Sequence, residues 1–132
     1  MDLSGKRILI VEDEFLVALS LEDHLRALGG TVIGPAATLA DAMRAARDVA
    51  ADLAILDVHL GGEPVFPAAA ILLDRGIPMI FSSGMGGNAH LPPALAGAPL
   101  LPKPYTHAAI QHTIRRLLEA KAPPPPLETA GF

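Results

Sequence analysis

Apolar positions along this chain follow two periods that alternate. Residues 6–11, Lys-Arg-Ile-Leu-Ile-Val, form a short apolar run that ends abruptly in Glu12, Asp13 and Glu14. A continuous run of this kind predicts a strand buried on both faces. From Phe15 onward the period lengthens: Val17, Leu21, Leu25 and Leu28 share one helical face, and Gly29-Gly30 stops the helix. Thr31-Val32-Ile33-Gly34 predicts a second strand closed by Pro35. Thr38 is a good N-cap for a second helix carrying Leu39, Ala42, Met43, Ala46 and Ala50 on its apolar face. Residues 53–56 read as a third strand ending at Asp57. After Gly61-Gly62 and two prolines, residues 68–73 belong to a third helix stopped at Gly76. Residues 77–81 predict a fourth strand leading into Ser82-Ser83-Gly84. Leu100-Leu101 makes a weak fifth strand, ended by Pro102-Lys103-Pro104. A last helix carries Ala109, Ile110, Thr113, Ile114, Leu117 and Leu118 as a core-facing stripe, with Arg115, Arg116 and Lys121 near the end where cations suit the helix dipole. Strands alternating with helices require right-handed crossovers, so the expected fold is α/β, a doubly wound sheet of five parallel strands.

Composition narrows this picture. At 132 residues the chain has the length of one domain, and 51% apolar against 18% charged residues gives it a substantial core. Aromatics are only 4% and Trp is absent, so Ala, Val, Leu and Ile carry the packing. A net charge of −4 argues against a basic nucleic-acid footprint. The absence of Cys excludes disulfides, thiolate metal sites and Cys nucleophiles. The start lacks an apolar signal core, and no apolar run approaches the ~20 residues that span a bilayer, so neither membrane nor nucleic acid is expected as a partner, and the expected location is cytoplasmic. Pro123 to Pro126 end the last helix, giving a domain over residues 1–121 and a Pro-rich tail over 122–132.

Ligands of doubly wound folds bind beyond the carboxyl ends of the strands. There the chain places Glu12 and Asp13 after the first strand, Asp57 after the third, Ser83 after the fourth and Lys103 after the fifth. Three converging carboxylates repel one another unless a cation stands among them, and hard oxygen ligands suit Mg²⁺. A lysine and a hydroxyl beside them complete a pocket for phosphoryl oxygens, with Asp57 as the nucleophile. Singly, each residue has an ordinary explanation: Glu12-Asp13 as an acidic helix start, Asp57 as a cap, Ser83 as a turn residue. Lys103 between two prolines is a positioned charge. The five histidines carry little: His24 is expected half exposed, His59 contributes backbone, and His90 lies in a loop. His107 and His112, five apart on one helix, do not pair, so no zinc site is expected.

Val11-Glu12-Asp13-Glu14, Leu56-Asp57-Val58, Phe81-Ser82-Ser83-Gly84 and Leu101-Pro102-Lys103-Pro104-Tyr105 together resemble the receiver domain of bacterial two-component response regulators, over residues 5–121. The resemblance implies a flavodoxin-like receiver fold with Asp57 as phosphoacceptor. It implies that Asp13 binds Mg²⁺ directly, Glu12 binds it through water, and the His59 backbone carbonyl supplies a further ligand. Ser83 would hydrogen-bond the phosphoryl group and Lys103 would pair with it. Three features depart from the common pattern. Leu100 stands where receivers usually carry an aromatic whose rotation reports phosphorylation. Gly86, Gly87, Pro92, Pro93 and Gly97 make the fourth helix, between the fourth and fifth strands, short, displaced or absent. Leu60-Gly61-Gly62-Glu63-Pro64 replaces the usual loop after the phosphoacceptor. These features look like an alphaproteobacterial subfamily of atypical receivers with a Phe-Ala-Thr-Gly-type motif.

The expected function is that of a single-domain response regulator. It would take a phosphoryl group on Asp57 from a histidine kinase or histidine phosphotransfer protein, and signal to a downstream protein by changing shape or act as a phosphate sink. The alternative is a degenerate receiver serving as a phosphorylation-independent interaction module. No separate catalytic domain is expected, only Mg²⁺-dependent self-phosphorylation and self-dephosphorylation. An aspartate-based phosphohydrolase would need a second Asp two residues beyond Asp57, where His59 stands. A flavodoxin-type carrier would present small and hydroxyl residues where Glu12-Asp13-Glu14 stand.

Overall fold

A strand covered on both faces must be apolar at every position, and the two central runs meet that demand. Strand β1 (Arg7–Val11) is buried at all but its first residue and β3 (Leu53–Asp57) at every one. In the computed structural model, which describes residues 2–83 and 91–121, these two lie side by side and parallel. The other elements in chain order are α1 (Phe15–Ala27), β2 (Thr31–Ala36), α2 (Leu39–Asp48), β4 (His59–Leu60), β5 (Glu63–Pro64), α3 (Phe66–Asp74), β6 (Met79–Ser83), β7 (Leu100–Pro102) and α4 (His107–Lys121). The five long strands form one parallel sheet in the order β2-β1-β3-β6-β7, while β4 and β5 pair as a small antiparallel hairpin. The expected doubly wound fold is the observed one.

Side chains alternate across this sheet with the period of two that strand geometry dictates. Leu9, Val11, Ala54, Leu56, Met79 and Phe81 face one side, where α2 and α3 contribute Ala42, Ala46, Ala68, Ala69 and Leu72. Ile8, Ile10, Leu53, Ile55 and Ile80 face the other, where α1 and α4 contribute Leu21, Leu25, Ile110 and Ile114. The small alanines of α2 and α3 let those helices lie close to the sheet.

Several expected boundaries move. Pro35 does not close β2, which runs on to Ala36. Proline is tolerated because β2 is an edge strand and its register against β1 jumps there, from Leu9↔Ile33 to Val11↔Ala36. The extension anchors the backbone just beyond β1, since the Ala36 carbonyl accepts the Glu12 N–H at 3.0 Å. On α1 the buried positions are Ala18, Leu21 and Leu25, with Val17 only half buried. Helix α2 is capped by Thr38, whose hydroxyl accepts the Asp41 N–H at 3.1 Å, but it ends at Asp48 and leaves Ala50 outside and exposed. Strand β6 starts at Met79, because Ile77 is used to close α3. The Ile77 N–H reaches the Leu72 carbonyl at 3.0 Å and the Gly76 N–H reaches Leu73 at 3.0 Å, with Gly76 at φ 73°. That paired arrangement needs a left-handed residue, which glycine supplies without strain.

Four α-helices are described, the fourth being the C-terminal α4. Between β6 and β7 the described residues hold a single 3₁₀ turn, Pro93–Leu95. The rest of the segment where the fourth helix was expected to be short, displaced or absent, residues 84–90 with His90, lies outside the described residues, as does the tail over 122–132. No helix among the described residues is long and apolar enough to cross a membrane.

Candidate functional site

The strand order reverses between β1 and β3, and there a crevice opens at the carboxyl ends of the sheet. A cleft of about 420 Å³ is lined by Asp13, Glu14, Asp57, His59, Gly61, Gly62, Ser83 and Lys103. Of the residues expected at the site, only Glu12 is withdrawn beneath this surface, at 2% exposure. Oxygens of Glu12, Asp13 and Asp57 lie within 4.8 Å of one another. The strand ends therefore do bring the three carboxylates together.

Lys103 holds two of them. Its ammonium lies 2.9 Å from Glu12 Oε1 and 3.0 Å from Asp57 Oδ2, and it is itself largely covered, its side chain 12% exposed. Its own backbone N–H donates to the Ser83 carbonyl at 3.1 Å, fixing the end of β7 against β6. Burial works against the ammonium, yet its hydrogen bonds and charge contacts with Glu12 and Asp57 hold it above the ordinary lysine value. Glu12 goes the other way from an ordinary ion-pair partner: burial pushes it up to about 7, and the Lys103 ammonium and the Glu14 N–H only partly offset that. The repulsion among three carboxylates is thus relieved within the chain itself, by one shared ammonium and by a glutamate that gives up its charge near neutral pH.

Asp13 and Asp57 are positioned by backbone. The Gly61 N–H donates to Asp13 Oδ2 at 2.8 Å and the His59 N–H donates to Asp57 Oδ1 at 3.3 Å. Burial opposes ionisation of Asp13, but the Gly61 bond keeps its carboxyl below the usual aspartate value. Gly61 and Gly62 form the two-residue turn of the β4–β5 hairpin, at φ 55° and 87°. Both central residues of such a turn need positive φ, so a Gly-Gly pair is its natural sequence. Gly61 was not among the expected site residues, although the Gly-Gly pair between two short segments was a signal for this hairpin. His59 thus bears on the site through its backbone N–H, where the expectation concerned its carbonyl, and the exposed residue lines the cleft.

The donor set fits a small hard cation. Three carboxylates from two strand ends lie close together, Asp13 and Asp57 facing a polar cleft and Glu12 beneath it, and they are oxygen ligands of the kind that Mg²⁺ takes while retaining water. The ordinary readings of these residues fit less well: α1 has no side-chain cap and no acidic residue in its first turn. One histidine contact is not anticipated by the sequence: His24, half buried, meets His107 across α1 and α4, Nδ1 to Nδ1 at 3.0 Å. Spacing within one helix is blind to a contact between two.

Comparison with known proteins supports the same fold. No family model matches the chain, and no curated protein matches it. Among solved structures, SdrG from Sphingomonas melonis Fr1 is 39% identical, covers 89% of this chain and 99% of its own, and superposes with a TM-score of 0.77. The PhyR response regulator REC domain from Erythrobacter litoralis is 28% identical over 93% of this chain and 97% of its own, at 0.73. The signal receiver domain of a modulated diguanylate cyclase from Desulfovibrio desulfuricans G20 is 27% identical over 88% and 95%, at 0.72.

Proposed function

Because this chain belongs to the receiver domains of response regulators, we propose that it accepts a phosphoryl group on Asp57. The donor would be a histidine kinase or histidine phosphotransfer protein. The observation that carries this reading is the Asp57 carboxylate at the floor of the cleft, held between the His59 N–H and the Lys103 ammonium. An Asp57 oxygen attacks phosphorus and forms a P–O bond as the bond from phosphorus to the donor breaks, and the donor leaves with that electron pair. Lys103 balances charge on the phosphoryl oxygens, and the Ser83 hydroxyl, at the rim of the same cleft, donates to one of them. Asp13, Asp57 and the His59 carbonyl, with Glu12 through water, would hold Mg²⁺, which when bound neutralises negative charge on the transferring group. The phosphoryl group then competes for Lys103, and its departure from Glu12 and Asp57 is the structural change that a downstream protein reads.

Leu100 favours a second reading. It is 38% exposed at the start of β7, where an aromatic reporter was the expectation for a switching receiver, so the domain would serve as an interaction module independent of phosphorylation. Acetyl phosphate with Mg²⁺ separates the two. We expect one adduct of about 80 Da by intact mass, the gain of a single HPO₃ on the carboxylate nucleophile. Asp57→Asn should form none. A wild-type chain that stays unmodified supports the interaction module instead.

A further inference from the structure

Two residues next to the cleft have no part in phosphoryl transfer itself. Ser82 is buried to 1% exposure on β6, in register with Asp57 on one side and Leu101 on the other. Its carbonyl accepts the Val58 N–H at 3.1 Å, but its hydroxyl makes no hydrogen bond with any described residue. A buried hydroxyl left in that condition is uncommon, because its lost hydration is uncompensated. Tyr105 packs its ring, partly buried, against the cluster that α1 and α4 build on the sheet. Burial pushes the phenol up to about 12, and the charges of Glu12, Lys103 and Asp57 all reach it.

Tyr105 is also tied to Lys103 through the chain. Only Pro104 separates them, and proline fixes its own φ and stiffens the residue before it. A ring packed against the core and an ammonium seated between two carboxylates are therefore two ends of one short, stiff lever. We propose that Tyr105 is a positioning residue for Lys103: the ring, packed against the α1–α4 core, sets where the ammonium stands relative to Asp57. The inference rests on the phosphoacceptor reading for its functional meaning. The coupling itself is a property of the unmodified chain.

The chain has one Tyr and no Trp, so its near-ultraviolet tyrosine band reports Tyr105 alone. The test uses the full chain and compares wild type, Tyr105→Leu, Tyr105→Phe, Lys103→Met and the Lys103→Met/Tyr105→Leu double variant. At saturating Mg²⁺ and acetyl phosphate, Tyr105→Leu should lower the rate of adduct formation about tenfold, and Tyr105→Phe, which keeps the ring, should restore at least half. The double variant should be no slower than Lys103→Met alone, since the ring acts only through the ammonium. A Tyr105→Leu rate equal to wild type, or two losses that multiply in the double variant, overturns the proposal. Separately, with no phosphodonor, Lys103→Met should change the circular dichroism of the tyrosine band. An unchanged band overturns the coupling even if the adduct forms. A wild-type chain that forms no adduct removes the phosphoacceptor reading, and the tyrosine band then decides the positioning role alone.

Discussion

Lys103→Met should slow phosphoryl uptake from acetyl phosphate about a hundredfold, the usual cost of deleting one preorganised electrostatic partner of a developing charge. The substitution keeps an unbranched side chain of similar length and removes only the ammonium, which lies 2.9 Å from Glu12 and 3.0 Å from Asp57. Its second effect is on stability. Without the ammonium two carboxylates with 1% and 11% of their side chains exposed face each other unpaired, and breaking such a pair by removing one partner is commonly worth about 3–5 kcal/mol. Here the loss should be smaller near neutral pH, because Glu12 already sits near pH 7 and relieves the strain by taking a proton. It should shrink further as pH falls toward the ordinary glutamate value, where the wild type also loses one of the two charges that Lys103 pairs with, that of Glu12. Urea unfolding of both proteins at neutral and mildly acidic pH measures this. A stability deficit that grows on acidification contradicts this assignment of charge to Glu12 and Lys103.

The largest effect on the fold is expected at Phe81. Phe81→Ala should cost about 3–5 kcal/mol, seen as a lower urea midpoint with an unchanged slope. The ring is fully buried on β6, paired with Leu56 and Leu100 on the neighbouring strands and edge-on to Phe66 with centroids 6.3 Å apart. Around it the core is built of small and aliphatic side chains, among them Ala42, Ala46, Ala54, Ala68 and Ala69. Alanines held by helices and by the middle of a sheet have little to move into a void, so the cavity should persist. Phe81→Leu should cost far less, since most of the volume remains. Equal losses from the two variants would show that the cavity is not what destabilises.

What could be read in the sequence was what local pattern encodes. Strands such as β1 and β3, apolar at nearly every position and then abruptly polar, were legible because burial on both faces leaves that one signature. Their ends gave Glu12, Asp13, Asp57, Ser83 and Lys103 for the same reason, and these do line or underlie one cleft. Three converging carboxylates do need a counter-charge, but strand ends alone did not reveal that Lys103 is already the resident one. Distance between strand ends is not written in either strand. The passage of β2 through Pro35 depends on its being an edge with shifted register, a property of its neighbours. The Gly61 N–H on Asp13 spans 48 residues and the His24–His107 contact spans 83, so no local window contains them. Tyr105 was legible as part of a motif, yet its packing against side chains of α1, α4 and the sheet joins segments that lie far apart in sequence.

The central claim is that one carboxylate, Asp57, takes the phosphoryl group. An acyl phosphate differs from phosphate on serine or histidine in that borohydride reduces the activated carbonyl to an alcohol, so a phosphorylated aspartate becomes homoserine. The chain would be treated with acetyl phosphate and Mg²⁺, reduced with borohydride, digested, and its peptides sequenced by mass spectrometry. Homoserine at position 57 and nowhere else is the predicted result. Homoserine at Asp13 or another carboxylate, or a phosphate that survives reduction on a serine or histidine, would contradict it.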